Sequence, residues 1–350
     1  MKSEEIAKIA GVSRSTVSRV VNKYSNVPDE TREKVMKVIE AYNYRPNSFA
    51  RTLAGKRSNT IGLFFIVDSG RYQEERIFEN DYFTLYLNLL VDFASEKDYF
   101  VLVSIISQEI EYAKISQAFF EKRIDGGIII GTKQDTLKKI QAENINSSII
   151  LFDYELTEDE KINYKDANIT MINSKDEQAI EKAVDHLVQL GHKDIGFIRG
   201  IEYTRSGKAR NNAFQKAMHK SGLAIHEEYC FDGHFSVNEA YKNMKKKITE
   251  GCLATAYISA NDFMAIGVMD ALKEANISVP DAISIIGFDK SHRANEIKPR
   301  LTTMAPDFHE MSKKAIEILH SKINGNDENA AVVEFPVTFY EKESCSKFIL

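Results

Sequence analysis

The sequence predicts an α/β chain in two parts: a small all-α headpiece of helix-turn-helix type and a large body of two doubly wound lobes. Three observations predict it. Residues Ile6–Asn22, IAKIAGVSRSTVSRVVN, set an amphipathic helix, a glycine turn and a second amphipathic helix in one short stretch. From Ile61 onward, short apolar runs alternate with longer amphipathic stretches, and the series occurs twice. Charge is divided as well: residues 1–60 carry 12 Lys and Arg against 6 Asp and Glu, and the remaining residues carry 34 against 45. A basic head on an acidic body suits a phosphate-binding module joined to one that does not bind nucleic acid.

In the headpiece, Ile6, Ala7, Ile9 and Ala10 give the first helix an apolar stripe, with Ser3 expected as its N-cap and Glu4 and Glu5 in its positive first turn. Gly11 permits the turn, and Ser13 is placed to cap the second helix. At about 100° per residue, Arg14, Ser15, Ser18, Arg19 and Asn22 share one arc of that helix, with Val17, Val20 and Val21 opposite. One side is dry and the other polar with two arginines, the arrangement a helix needs to sit on a core while facing base edges in a DNA groove. Short amphipathic pairs are common, so the charge division strengthens this reading over ordinary packing. A third helix is expected over about 29–43. Pro28, Asp29 and Glu30 lie at its start, and Val35, Val38, Ile39 and Tyr42 close the core. Ser48–Ala54 has helical propensity but is too short to be stable alone; two copies side by side in a dimer would support each other.

In the body, Ile61–Val67, Tyr99–Val103, Gly126–Gly131 and Ser148–Phe152 read as buried parallel strands, separated by helices around 82–97, 109–123 and 133–144. Ile169–Ile172, Asp194–Ile198, Ala256–Ser259 and Ile283–Phe288 form the second series. Roughly 290 residues exceed one ordinary core, so two lobes are expected on size alone.

Several chemistries find no support. Cys230, Cys252 and Cys345 have no CxxC or zinc spacing, and an odd count fits a reducing compartment. His186 and His192 flank a helix end and read as structural, not as metal ligands. No P-loop or strand-linked GxGxxG occurs, so no cofactor and no enzyme activity are expected. No apolar stretch approaches the roughly 18 residues that span a bilayer and no signal peptide is visible, so a cytoplasmic protein without a membrane partner is expected. The run Lys242–Lys247 reads as a solvated helix face.

Four motifs together (IAKIAGVSxxTVSRVVN, Thr31–Val35 reading TREKV, YxPN at Tyr44–Asn47, and AxxLAGK at Ala50–Lys56) resemble the lactose-repressor/galactose-repressor (LacI/GalR) family of bacterial transcription regulators. The resemblance continues through Asp185–Ile198, Ser206–Phe214, Ser259–Gly267 and Ile285–Asp289, and so covers essentially the whole chain. It implies a headpiece at 1–46, a hinge helix at 47–57 and a body at 58–350 with the fold of periplasmic sugar-binding proteins, whose lobes close on a hinge. The N-lobe is expected over about 58–155 and 290–322, and the C-lobe over about 156–289 and 323–345.

Residue by residue, the resemblance implies that Arg14, Ser15 and Arg19 read bases, and that Ser13, Thr16 and Asn22 hold phosphates. Asn47, Ala50 and Leu53 match the hinge that enters the minor groove, Leu53 matching the wedge residue; packing under the neighbouring domain is the alternative for Leu53. Arg210, Asn261 and Asp289 match effector positions, and their chemistry suits a polyol. Asp153, at the end of its strand, and Phe83, as an apolar wall, are further effector candidates; for all five the alternative is that some merely cap helices or pair across the hinge. The implied function is a repressor of carbohydrate-utilisation genes that binds a pseudo-palindromic operator as a homodimer. A sugar or sugar phosphate in the interlobe cleft would control it. Two features depart from the family pattern: the stretch after Val67 is long, and Lys175–Asp176 replaces a common Asp–Asn pair. No apolar heptad tail follows the expected terminal strand Val333–Tyr340, which favours a dimer over a tail-tethered tetramer.

Overall fold

A computed structural model of the chain describes residues 1–21, 24–44, 57–67, 81–133, 135–142, 147–157, 160, 168–326 and 331–349. It divides into two compact units, Met1–Ser58 and Asn59–Leu350.

The first unit holds α1 (Ser3–Ala10), α2 (Arg14–Val21) and α3 (Asp29–Ala41). Ile6, Ala7, Ala10, Val17, Val20, Val27 and Val35 form its buried core, with Val12, Val21, Val38, Ile39 and Tyr44 packed around it. Gly11 ends α1 in the left-handed region at φ 63°, where a β-carbon would be strained. Two expectations need correction. Ser3 is helical, and α1 is capped instead by the Glu5 carboxylate, which accepts the Lys2 N–H at 2.7 Å. Ile9 and Tyr42 are about half exposed, because the small core has room only for the inner edge of each stripe.

The second unit contains two sheets of parallel strands. The larger has the order β11-β5-β4-β3-β1-β2, from β1 (Thr60–Ile66), β2 (Phe100–Ile106), β3 (Gly126–Ile130), β4 (Ser148–Phe152), β5 (Ile169–Ser174) and β11 (Val332–Phe335). Along β1, Ile61, Leu63 and Phe65 pack against α4 (Asp81–Glu96) and α12 (Phe308–Ile323). Phe64 and Ile66 pack instead with α5 (Ala113–Phe120) and α6 (Thr136–Ala142). Burial on both faces is why these strands read as unbroken apolar runs. The smaller sheet has the order β7-β6-β8-β9, from β6 (Ile195–Arg199), β7 (Phe231–Asp232), β8 (Ala256–Ser259) and β9 (Ser284–Ile286). Its helices are α7 (Asp176–Gln189), α8 (Arg205–Lys220), α9 (Val237–Glu250) and α10 (Asp262–Glu274), and all contribute to one core.

The lobe boundaries differ from the expected ones at three crossings. Residues 156–174 were expected in the second lobe, yet β5 (Ile169–Ser174) pairs with β4 and β11 in the first sheet, and α7, which begins at Asp176, packs in the second-lobe core. Residues 290–304 were expected in the first lobe, yet Ala294, Leu301 and Met304 belong to the second-lobe core; Ala305 and Phe308 are the first to rejoin the first lobe. Val333–Tyr340 was expected as one strand in the second lobe. Pro336 divides it, so β11 joins the first sheet while β12 (Val337–Tyr340) pairs antiparallel with β10 (Thr303–Pro306). Local patterning carries no information on which sheet a strand joins.

Candidate functional site

The headpiece presents α2. Ser13 Oγ accepts the Thr16 N–H at 3.1 Å and so caps the helix, as its sequence position indicates. The same hydroxyl lies 2.7 Å from Ser15 Oγ and 2.8 Å from Thr16 Oγ1. Val17 and Val20 are buried, while Ser13, Arg14, Ser15, Ser18 and Arg19 are exposed and Thr16 is half-buried. Arg14 Nη1 stands 3.3 Å from Glu4 Oε1, with both side chains two-thirds exposed. A surface pair of this kind contributes little and exchanges readily for a nucleic-acid phosphate or guanine. Between α2 and α3, the Arg32 guanidinium donates to Tyr24 O at 2.6 Å and ties the connecting loop to the core helix. Asn22, Asn47, Ala50 and Leu53, and with them residues 47–56 of the hinge expected at 47–57, lie outside the described residues.

The second site is a cleft within the body, lined by residues of both lobes, enclosing about 1270 Å³ of space that is partly open to solvent. Phe83, Asp153, Arg210, Asn261 and Asp289 all line it, although they are distant in sequence. Gly131, at φ 82°, lets the backbone approach closely; a β-carbon there would lie 2.2 Å from Ile66 O. Phe83 stands edge-on to Phe65 and to Tyr82, and Tyr82 in turn to Tyr86 and Phe308, which makes an aromatic wall. Asn261 caps α10, its Oδ1 accepting the Met264 N–H at 2.9 Å, so the capping and cleft-lining readings hold together.

Charge is concentrated at the cleft floor. Arg210 is buried, its Nε donates to Asp176 Oδ2 at 3.2 Å, and its Nη1 donates to Ala260 O at 2.6 Å. Nη1 also lies 3.6 Å from Asp289 Oδ1, and the guanidinium sits 3.5 Å over the Phe288 ring. Asp289 stands at φ 101°, held there by its N–H to Met304 O at 2.6 Å. Burial pushes its carboxyl well above the usual range; Arg210 opposes this, and Asp262, Asp176 and Asp153 add to it. Asp262 is fully buried, accepting from Thr303 Oγ1 and from the Ser291 N–H, each at 2.6 Å, and burial pushes its carboxyl up to about 7. The cleft thus offers an aromatic wall, an amide, a guanidinium and carboxylates short of counter-charge. Such a set recognises hydroxyl and other N–H or O–H donors.

Tyr82 lines the cleft, Asp176 pairs with Arg210, Arg205 pairs with Asp153, and Asp262 adds to the raised Asp289 carboxyl; none of the four was among the sequence candidates. The Lys175–Asp176 departure was the one visible signal, and Asp176 proves to be the buried partner of Arg210. Among the described residues no cluster of His, Cys, Asp and Glu could hold a metal, and no helix is long and apolar enough to cross a membrane.

Comparison with known proteins points the same way. Residues 4–47 match the family described as bacterial regulatory proteins, lacI family, and residues 184–345 match the periplasmic binding protein-like domain. The HTH-type transcriptional repressor PurR of Pasteurella multocida is 30% identical over 334 residues, covering 95% of this chain and 94% of that one. The probable HTH-type transcriptional repressor ExuR of Bacillus subtilis is 29% identical over 346 residues, covering 97% of each. The lac repressor dimer bound to operator and the anti-inducer ONPF matches with a TM-score of 0.84 at 25% identity, over 99% of both chains. A complex of the regulator CelR with cellobiose matches in fold, with a TM-score of 0.70 at 19% identity over 98% and 99%.

Proposed function

The chain belongs to the lacI family of bacterial regulatory proteins and is a DNA-binding transcriptional repressor, not an enzyme; from that premise we propose that a small polyol in the body cleft controls it. The convergence of Arg210, Asn261 and Asp289 on one cleft beside Phe83 carries this reading. A sugar ring would lie against the aromatic wall. Asp289 would accept hydrogen bonds from its hydroxyls, and the Asn261 Nδ2 and Arg210 would donate to its oxygens. With Arg210 already bound to Asp176 and near Asp289, a neutral sugar fits the charge balance better than a sugar phosphate. On DNA, Arg14, Ser15 and Arg19 would read bases, with Ser13, Thr16 and Asn22 on phosphates and Asn47, Ala50 and Leu53 at the minor groove. We propose a homodimer on a pseudo-palindromic operator. Support comes from the similarity to a dimeric repressor and from the exposed apolar side chains of Phe100 and Val103 on β2 and Leu85 and Val91 on α4.

The test selects duplexes from a random pool with the full chain, then titrates neutral sugars and sugar phosphates against the selected complex. A two-fold-symmetric sequence whose binding responds to a neutral sugar is expected. Asp289→Ala should abolish the response and leave operator affinity nearly intact. A response retained by Asp289→Ala would move the effector site elsewhere.

A further inference from the structure

The two arginines of α8 do different work. Arg210 binds Asp176, Ala260 O and Asp289, which lie at the crossing or within the second lobe. Arg205 is different. It begins α8, whose Ala213, Phe214 and Met218 are buried in the second-lobe core, yet its side chain reaches the first sheet. Nη2 donates to Ser174 O, at the end of β5, at 2.8 Å. Nη1 lies 3.4 Å from Asp153 Oδ1, just past β4, and 3.6 Å from Asp176 Oδ2. Nη2 also stands 4.0 Å from Glu334 Oε1 on β11. The side chain is only 11% exposed.

Asp153 is fixed to meet it. Its backbone sits at φ 55°, its N–H donates to Ile172 O at 3.1 Å, and its carbonyl accepts from Thr132 Oγ1 at 2.6 Å. Its other carboxylate oxygen accepts the Ser206 N–H at 3.3 Å. Both oxygens of Asp153 are therefore engaged by the first turn of a second-lobe helix.

We infer that Arg205 is an interlobe clasp: seated on the second lobe, it grips the cleft-facing ends of three adjacent first-lobe strands, with Asp153 as its counter-ion. The clasp keeps the lobes together before any small molecule enters. Its planar fork suits this position, since one guanidinium serves a carbonyl and three carboxylates at once. Its consequence for regulation rests on the effector reading of the cleft. An effector shifts the lobe equilibrium only by its differential affinity for the two arrangements, and Arg205 sets the equilibrium it acts on. Arg205 is thus a positioning residue, and Asp153 works mainly through it.

Amide hydrogen exchange of the full chain, with no small molecule present, tests this. Arg205→Gln should speed exchange about fivefold or more in peptides covering 169–176 and 203–209, and leave 61–66 and 256–259 unchanged. Arg205→Lys, which keeps the charge without the fork, should fall between. Asp153→Asn should give the same local pattern, and the double variant should be no faster than the faster single one, as for two halves of a single contact. Unchanged exchange in Arg205→Gln, acceleration spread evenly over all peptides, or additive effects in the double variant would each overturn the clasp. Should Arg205→Gln fail to fold, Asp153→Asn and Arg205→Lys supply the same comparison. A failed sugar titration leaves this result standing, whereas a sugar response beside unaltered exchange removes the clasp alone.

Discussion

The headpiece and the cleft place their polar side chains in opposite surroundings. On α2 they are exposed, loosely paired and carried on a small dry core. In the cleft they are buried, mutually paired and short of solvent, with Asp262 and Asp289 held away from their ordinary ionisation. The contrast teaches where each function is fragile. The headpiece depends on folding at all, since a three-helix unit has little stability to spare. The cleft depends on charge balance within a body that has an ample core.

Four experiments would break or sharpen that contrast. Ile6 is fully buried in the headpiece core, and Ile6→Ala should cost about 2–5 kcal/mol. DNA affinity should fall about a hundredfold or more, while calorimetric melting of the body stays as in the wild type; loss in both would show that the units are not independent. Arg19→Ala leaves the core intact and should cost about 1–3 kcal/mol on the selected operator, with relaxed preference at one base per half-site. Equal loss on specific and random duplexes would remove the base-reading role.

The third experiment concerns pH. Asp262 titrates at about 7 in the folded chain against 3.8 for the free group, so between these values only the folded state holds the proton. Its contribution to stability is full below about 4 and is lost as pH rises through about 7. The wild-type melting temperature, taken relative to Asp262→Asn, should therefore decline across that interval and level off above it. A difference flat from pH 4 to 8 would mean that Asp262 is ionised throughout. The smallest effect belongs to Glu4→Ala. Its partner Arg14 is two-thirds exposed, and headpiece stability should change by less than about 0.5 kcal/mol in denaturant titration.

The same contrast explains what could be read in the sequence. Helix faces follow from local spacing, so the exposed arc of α2 and its Ser13 cap were legible. Strand positions were legible too, because burial on both faces leaves unbroken apolar runs. Sheet membership was not, and β5 and β11 were misplaced because pairing is a long-range choice, whereas Val337 and Phe339 of β12 pack on the second-lobe core as expected. The cleft residues Arg210, Asn261 and Asp289 came from family resemblance, not from periodicity. Arg205 stayed hidden, and Asp176 showed only as a departure without a partner, because an ion pair between distant segments leaves no local trace; the exposure of Ile9 and Tyr42 stayed hidden because a period does not reveal how far a small core extends.

The division at Pro336 has a consequence for synthesis. The last strand of the first sheet is residues 332–335, and residues 337–348 then bind β10, β9 and the loop after α7, through Ser344, Ser346 and Phe348 among others. On the ribosome, neither lobe can complete its hydrogen bonding until this stretch has left the exit tunnel, so the two must finish maturing together. Loss of the residues from 332 onward would leave both halves unfinished at once.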